Sequence, residues 1–160
     1  MTIISYDEKY LQQIIDLILH IQNDEAKIDL PLSEQPDLLD IYNNYIKDGG
    51  GFWIAVHNDT VIGTIGLMKK NDSCGILKKF FVKQDYRSQR IGYRLYQTLL
   101  TYAESISLHY IILDTPSVAV KSHAFYDKSG FRRITKAELP IDYHYPDRDS
   151  LLYMIDLKVK

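Results

Sequence analysis

The chain reads as an α/β fold in which helices flank one mixed sheet. Apolar residues recur at helical spacing in several stretches, whereas between residues 52 and 82 the period drops to two. The order of these stretches is βαα, then βββ, then αβα, then ββ, with no repeat, low-complexity tract or linker between them. The 160 residues suit a single domain spanning 1–160, and at that size about two-thirds of the unfolded surface is buried without a staple.

Residues 2–5 form a short strand. Leu11, Ile14, Ile15, Ile18 and Ile21 then recur at helical spacing, which predicts an amphipathic helix over about residues 9–22. Pro31 and Pro36 punctuate a loop, and residues 37–45 read as a second short helix closed by Gly49, Gly50 and Gly51. That glycine run is a turn and not a phosphate cradle, because no Lys-Ser or Lys-Thr follows it. Residues 52–56, a turn at Asn58-Asp59 and residues 61–68 form a β-hairpin. A polar turn over 70–73 leads to a third strand, residues 75–82. The longest helix follows over about residues 89–107, with Ile91, Leu95, Leu99, Tyr102, Ala103 and Ile106 on one stripe. Residues 110–113 make a compact apolar strand. Pro116 and Ser117 open another helix, and Gly130 takes its left-handed C-terminal cap. Residues 131–135 and 151–157 finish as strands.

Composition narrows the function classes. Nineteen basic residues against 21 acidic ones leave a formal net charge of -2, so neither nucleic acid nor a membrane surface is an expected partner. Cys74 is the single cysteine, so no intrachain disulfide forms; at a strand start it reads as structural rather than nucleophilic. The five histidines share no ligand spacing, and no metal is expected. The first residues lack a signal peptide's basic and apolar regions, and the densest apolar stretch, 11–21, is interrupted by polar residues and too short to span a bilayer. A cytoplasmic location is the expectation.

The chemistry concentrates where the strand ending at Phe81-Val82 turns into the longest helix. A helix start offers unpaired N–H groups and the positive end of the macrodipole, and Arg87, Arg90 and Arg94 cluster there. Either these arginines are merely solvated or they answer an anionic partner such as phosphate.

The run Tyr86-Arg87-Ser88-Gln89-Arg90-Ile91-Gly92, after Phe81-Val82, resembles the acetyl-CoA signature Q/R-x-x-G-x-G/A of the GCN5-related N-acetyltransferases, the GNAT superfamily. Farther on, Phe125-Tyr126-Asp127-Lys128-Ser129-Gly130-Phe131 resembles that family's second signature, F-Y-x-K-x-G-F. The fold so implied covers essentially the whole chain: a mostly antiparallel sheet flanked by helices, with a splayed central strand pair forming the acetyl-CoA cleft. Arg90 stands where the family's first glycine usually stands. Read as a first-turn helical residue, it takes right-handed angles and points its guanidinium outward toward a CoA phosphate.

The resemblance implies acetyl-CoA as the acetyl donor. Its contacts would be the backbone of Phe80, Phe81 and Val82, then Arg87, Ser88, Gln89, Arg90, Ile91, Gly92 and Tyr93, and later Ser117, Ser122, Tyr126 and Lys128. A backbone N–H near Val82 would stabilise the oxyanion. Tyr126 matches the family tyrosine that protonates the leaving thiolate; its alternative is a half-buried tyrosine packing on the sheet. Glu25 is named as the general base, with Asp24, Asp114 or a water chain as alternatives. The acceptor expected is a small-molecule primary amine, chosen by the first two helices and by the aromatic and acidic loop 139–149. A protein lysine or N-terminus is the alternative acceptor, and a non-catalytic acyl-CoA-binding module the alternative function. Family members are often dimers, and a homodimer is permitted. A Rossmann domain is excluded, since no G-x-G-x-x-G follows the first strand.

Overall fold

The computed structural model of the chain describes residues 1–145 and 149–158. Its strands are β1 (Thr2–Ser5), β2 (Gly51–His57), β3 (Thr60–Lys69), β4 (Cys74–Val82), β5 (Tyr110–Pro116), β6 (Arg132–Ile134) and β7 (Ser150–Asp156). They join in one sheet in the order β1–β2–β3–β4–β5–β7–β6, antiparallel except between β4 and β5. The α-helices are α1 (Leu11–Leu19), α2 (Ile91–Ser105) and α3 (Val120–Lys128). Among the described residues no helix is long and apolar enough to cross a membrane.

Strand alternation sorts the side chains between two faces. Trp53, Ala55, Ile65, Leu67 and Leu77 share a core with Leu95, Leu99 and Ala103 of α2 and Tyr126 of α3. On the opposite face Phe52, Ile54 and Val61 pack with Ile14, Ile15 and Ile18 of α1. Farther along that face, Ile76, Ile112, Leu152 and Met154 lie beneath Leu139, Ile141, Tyr143 and Tyr145. The β2–β3 turn is held by left-handed Asn58 (φ 51°) and Asp59 (φ 62°), the conformation that matches the twist of a two-residue hairpin. Tyr10 and Gln13 dock on this turn: the Tyr10 hydroxyl donates to Asp59 Oδ1 at 2.7 Å, and Val61 N donates to Gln13 Oε1 at 2.9 Å.

Several boundaries differ from expectation, each for a local reason. The first helix is α-helical only to Leu19 and continues as a wider π-turn over His20–Glu25. The expected helix over 37–45 is two pieces, a 3₁₀ turn Pro36–Leu39 and a π-turn Tyr42–Ile46. Between them Asp40 leaves helical angles and its carboxylate accepts from the N–H and side chain of Asn43, so the residue caps instead of continuing. Pro116 opens no helix; it ends β5 opposite Ser150, and α3 begins at Val120. The longest helix starts at Ile91, not residue 89, because Ser88 (φ 76°) and Arg90 (φ 62°) are left-handed. Arg90 is thus the residue before the helix, not a right-handed member of its first turn.

Two irregularities shape the centre of the sheet. The parallel β4–β5 ladder has three rungs, Cys74 to Ile76 against Tyr110 to Ile112, and beyond them the strands part. On the other edge of β4, Thr64 faces Phe81 and Gly66 faces Lys78, so Ile65 alone opposes Lys79 and Phe80. That extra residue is a β-bulge, with Lys79 at φ 55° and its carbonyl accepting from Thr64 Oγ1 at 2.7 Å. The bulge bends β4 away from β5 and opens the gap.

Candidate active site

The gap leaves the β5-facing backbone of β4 without a strand partner past Ile76. Phe80 and Val82 face α2, while Phe81 faces the core around α1. The start of α2 lies over the end of β4: a Cβ added to Gly92 would sit 3.6 Å from the Phe80 ring and 3.7 Å from Val82 Cγ2. The missing side chain therefore leaves a slot between helix and strand. The N–H groups of Ile91, Gly92 and Tyr93 open the helix, and the left-handed turns at Ser88 and Arg90 before it form a concavity of the anion-binding kind. These features suit a phosphate-bearing ligand whose thin arm enters the gap.

The arginines divide their work. Arg90 lies over the Tyr93 ring, its guanidinium carbon 4.8 Å from the centroid, and Ser88, Gln89 and Tyr93 are exposed beside it. Arg87 instead folds back over β4, donating from Nε to the Val82 carbonyl at 2.9 Å and pairing with Glu25 Oε1 at 2.9 Å. Glu25 also stands 3.6 Å from His20 Nε2, so the π-turn after α1 is tied to the approach to α2.

Tyr126 is 6% exposed, and its ring lies between Phe80 of β4 (6.5 Å) and Tyr153 of β7 (5.7 Å), under the gap. Its hydroxyl has no hydrogen-bond partner among the described residues. Burial, reinforced by the charge of Asp114, raises its pKa far above the ordinary value. Ser122 is half-buried in the first turns of α3, and Ser117 Oγ donates to Asp149 Oδ2 at 2.8 Å ahead of them. Lys128 is exposed at the other end of the helix.

On the opposite face of the gap lies a polar cluster that pattern reading did not assemble. Asp114 accepts a hydrogen bond from the Tyr143 hydroxyl, and burial raises its pKa against the opposing pull of Tyr143, Lys78 and Lys79. Lys79, with 9% of its side chain exposed, donates to Gln35 Oε1 at 2.7 Å and stands 3.7 Å from Asp37 Oδ2; burial nonetheless lowers its pKa. Asp37 Oδ2 also accepts from the Tyr45 hydroxyl at 2.6 Å. Gln22 and Gln35 exchange amide hydrogen bonds of 3.0 and 2.8 Å. The signal for this cluster was present in β4: two adjacent lysines inside an apolar strand fit one face only if a bulge intervenes. Within the expected specificity loop, Tyr143 reaches the site and His144 pairs with Asp142 in solvent, whereas Pro146, Asp147 and Arg148 lie outside the described residues.

Comparisons with known proteins agree with this geometry. The profile of the acetyltransferase (GNAT) family matches residues 15–131. A crystal structure of an acetyltransferase from Streptococcus agalactiae superposes with a TM-score of 0.93 at 41% identity, covering 98% of each chain. A GNAT acetyltransferase from Staphylococcus aureus gives 0.93 at 35% identity, again over 98% of each chain. Among curated relatives, the Xenopus tropicalis protein named "Probable N-acetyltransferase camello" is 30% identical over 68% of this chain and 51% of its own length. The chain thus spans about half the length of the curated relatives it matches.

Proposed function

Since the chain belongs to the GNAT acetyltransferase family, we propose that it moves an acetyl group from acetyl-CoA to a primary amine of a small molecule by direct attack in a ternary complex. The observation that carries the reading is the gap between β4 and β5, with a buried tyrosine on one face and a half-buried carboxylate on the other. Acetyl-CoA supplies the activated acetyl thioester. The amides of Ile91, Gly92 and Tyr93, with Ser88, Gln89 and Arg90 around them, hold its phosphates, Arg87 braces the end of β4 through Val82 and Glu25, and the backbone of Phe80, Phe81 and Val82 lines its arm. Ser117, Ser122 and Lys128 complete the donor side along the approach to α3 and the helix itself.

An aliphatic ammonium is only about 0.1% neutral at pH 7, a deficit of ~4 kcal/mol, so a base is needed. We take Asp114 as that base: it stands past the last β4–β5 rung, its charge reaches Tyr126, and burial makes it a better proton acceptor than an exposed aspartate. Glu25 is the rival carboxylate, with Oε1 already held by Arg87. The acceptor ammonium gives one proton to Asp114, and its nitrogen bonds to the acetyl carbon as the C–S bond breaks. Tyr126 gives its proton to the departing sulfur, its phenolate takes the second nitrogen proton, and Asp114 releases the first to solvent. Tyr126 carries its proton at neutral pH, as a tyrosine of ordinary pKa already does, and burial raises that pKa further.

Thiol release from acetyl-CoA, followed over a panel of primary amines, tests the reading. Tyr126→Phe is expected to lower kcat about a hundredfold with little change in the KM for acetyl-CoA. Asp114→Asn should cost more than Glu25→Gln. Retention of kcat by Tyr126→Phe would remove the tyrosine from the mechanism, and absence of acetyl-CoA binding at millimolar concentration would end the proposal.

A further inference from the structure

Lys78 and Asp114 occupy matched places on either side of the gap. Ile76 and Ile112 form the last β4–β5 rung, and one step of alternation farther on, the same face of the sheet carries Lys78 on β4 and Asp114 on β5. On its other side Lys78 stands opposite Gly66, where the Tyr45 ring packs and a Cβ would come within 2.8 Å of it. The remaining charges here are committed: Lys79 to Gln35 and Asp37, Asp37 to Tyr45 as well, and Asp114 to the Tyr143 hydroxyl. Lys78 is half-buried and makes no hydrogen bond or ion pair among the described residues; it feels Asp114 without touching it.

We propose that the acceptor is an amino acid, its ammonium received by Asp114 and Tyr143 and its carboxylate by Lys78. The inference rests on the gap being the acetyl-transfer site. An amine with no anionic group would set a second positive charge beside Lys78 in a half-buried cleft, where like charges repel more strongly than in water. A zwitterion meets both walls with the opposite sign, and the ammonium of Lys78 gains the partner that the protein withholds. Tyr143, reaching Asp114 from the loop after β6, covers the acceptor from above.

The test compares, for a range of side chains, each amino acid with its carboxamide and its decarboxylated amine as acceptors for acetyl-CoA. The expected result is a kcat/KM at least tenfold higher for the best amino acid than for its two analogues. Lys78→Gln should erase that preference, lowering the amino acid about tenfold to a hundredfold while the analogues that lack the carboxylate hold or gain as the like-charge repulsion is removed, and Lys78→Arg should restore it. Equal use of the amine or amide by the wild-type protein overturns the carboxylate subsite and leaves the acetyltransferase standing. A Lys78→Gln loss shared equally by all three acceptors also overturns it, since that marks a structural lysine. Turnover of no amine of any kind sinks both readings together. The wild-type comparison needs no variant and decides the matter even if Lys78→Gln folds poorly.

Discussion

Arg90 holds φ 62° at the entry to α2, a conformation that costs an ordinary L-residue roughly 1–2 kcal/mol. The sequence pattern located this position correctly but misread its angles, because a motif reports neighbours and not dihedrals. With the glycine of the family pattern replaced, the left-handed turn persists and part of its strain is offset by the guanidinium on the Tyr93 ring. Arg90→Gly and Arg90→Ala both lose that contact and differ chiefly in the Cβ. The glycine variant is expected to be more stable by about 1 kcal/mol, ~3 °C in Tm, despite its greater freedom when unfolded. Equal melting of the two variants would mean that α2 starts right-handed in solution. Cys74 was read as structural, and it is 1% exposed with a thiol pKa pushed up to about 11 by burial. Tyr96 could not have been foreseen: its hydroxyl is buried without a partner among the described residues in the core under α2, since helical spacing shows which residues point inward and not what their polar atoms meet.

The strands and the β2–β3 hairpin were legible because alternation and a two-residue Asn-Asp turn are local signals. The π-turns were not, since a widened turn keeps the same apolar residues inward and barely alters the pattern. The bulge in β4 falls between these cases, marked in the strand itself by the adjacent Lys78 and Lys79. Its conformation depends on an element elsewhere, β3, through the hydrogen bond from Thr64 Oγ1 to the Lys79 carbonyl, and Thr64 is fully buried. Thr64→Val keeps the shape and leaves that carbonyl unsatisfied. It should destabilise the protein by about 1–2 kcal/mol and raise the KM for acetyl-CoA, measured by chemical denaturation and initial rates. A loss of stability with an unchanged KM would separate the bulge from donor binding.

At the scale of the molecule, β1 to β4 with α1 and β5 to β7 with α3 form two flanks joined by three parallel rungs and by the core beneath α2. The family resemblance supplied the gap between them; composition and periodicity did not, because separation of two strands leaves their alternation intact. A donor lodged between the flanks binds the folded state alone, so acetyl-CoA at a hundred times its Kd should add ~2.7 kcal/mol, or ~5–10 °C in a melting assay. An unchanged Tm up to millimolar acetyl-CoA would mean that the folded chain does not bind the donor. The same joint orders the chain's assembly during synthesis. The first four strands each pair with the next strand in sequence, but β5 pairs with β7 across the whole stretch from residue 117 to residue 149, and among the described residues β6 pairs with β7 alone. A nascent chain emerging from the ribosome therefore carries an exposed strand edge until β7 is made, and over that interval it depends on dilution or a chaperone to escape pairing with another copy.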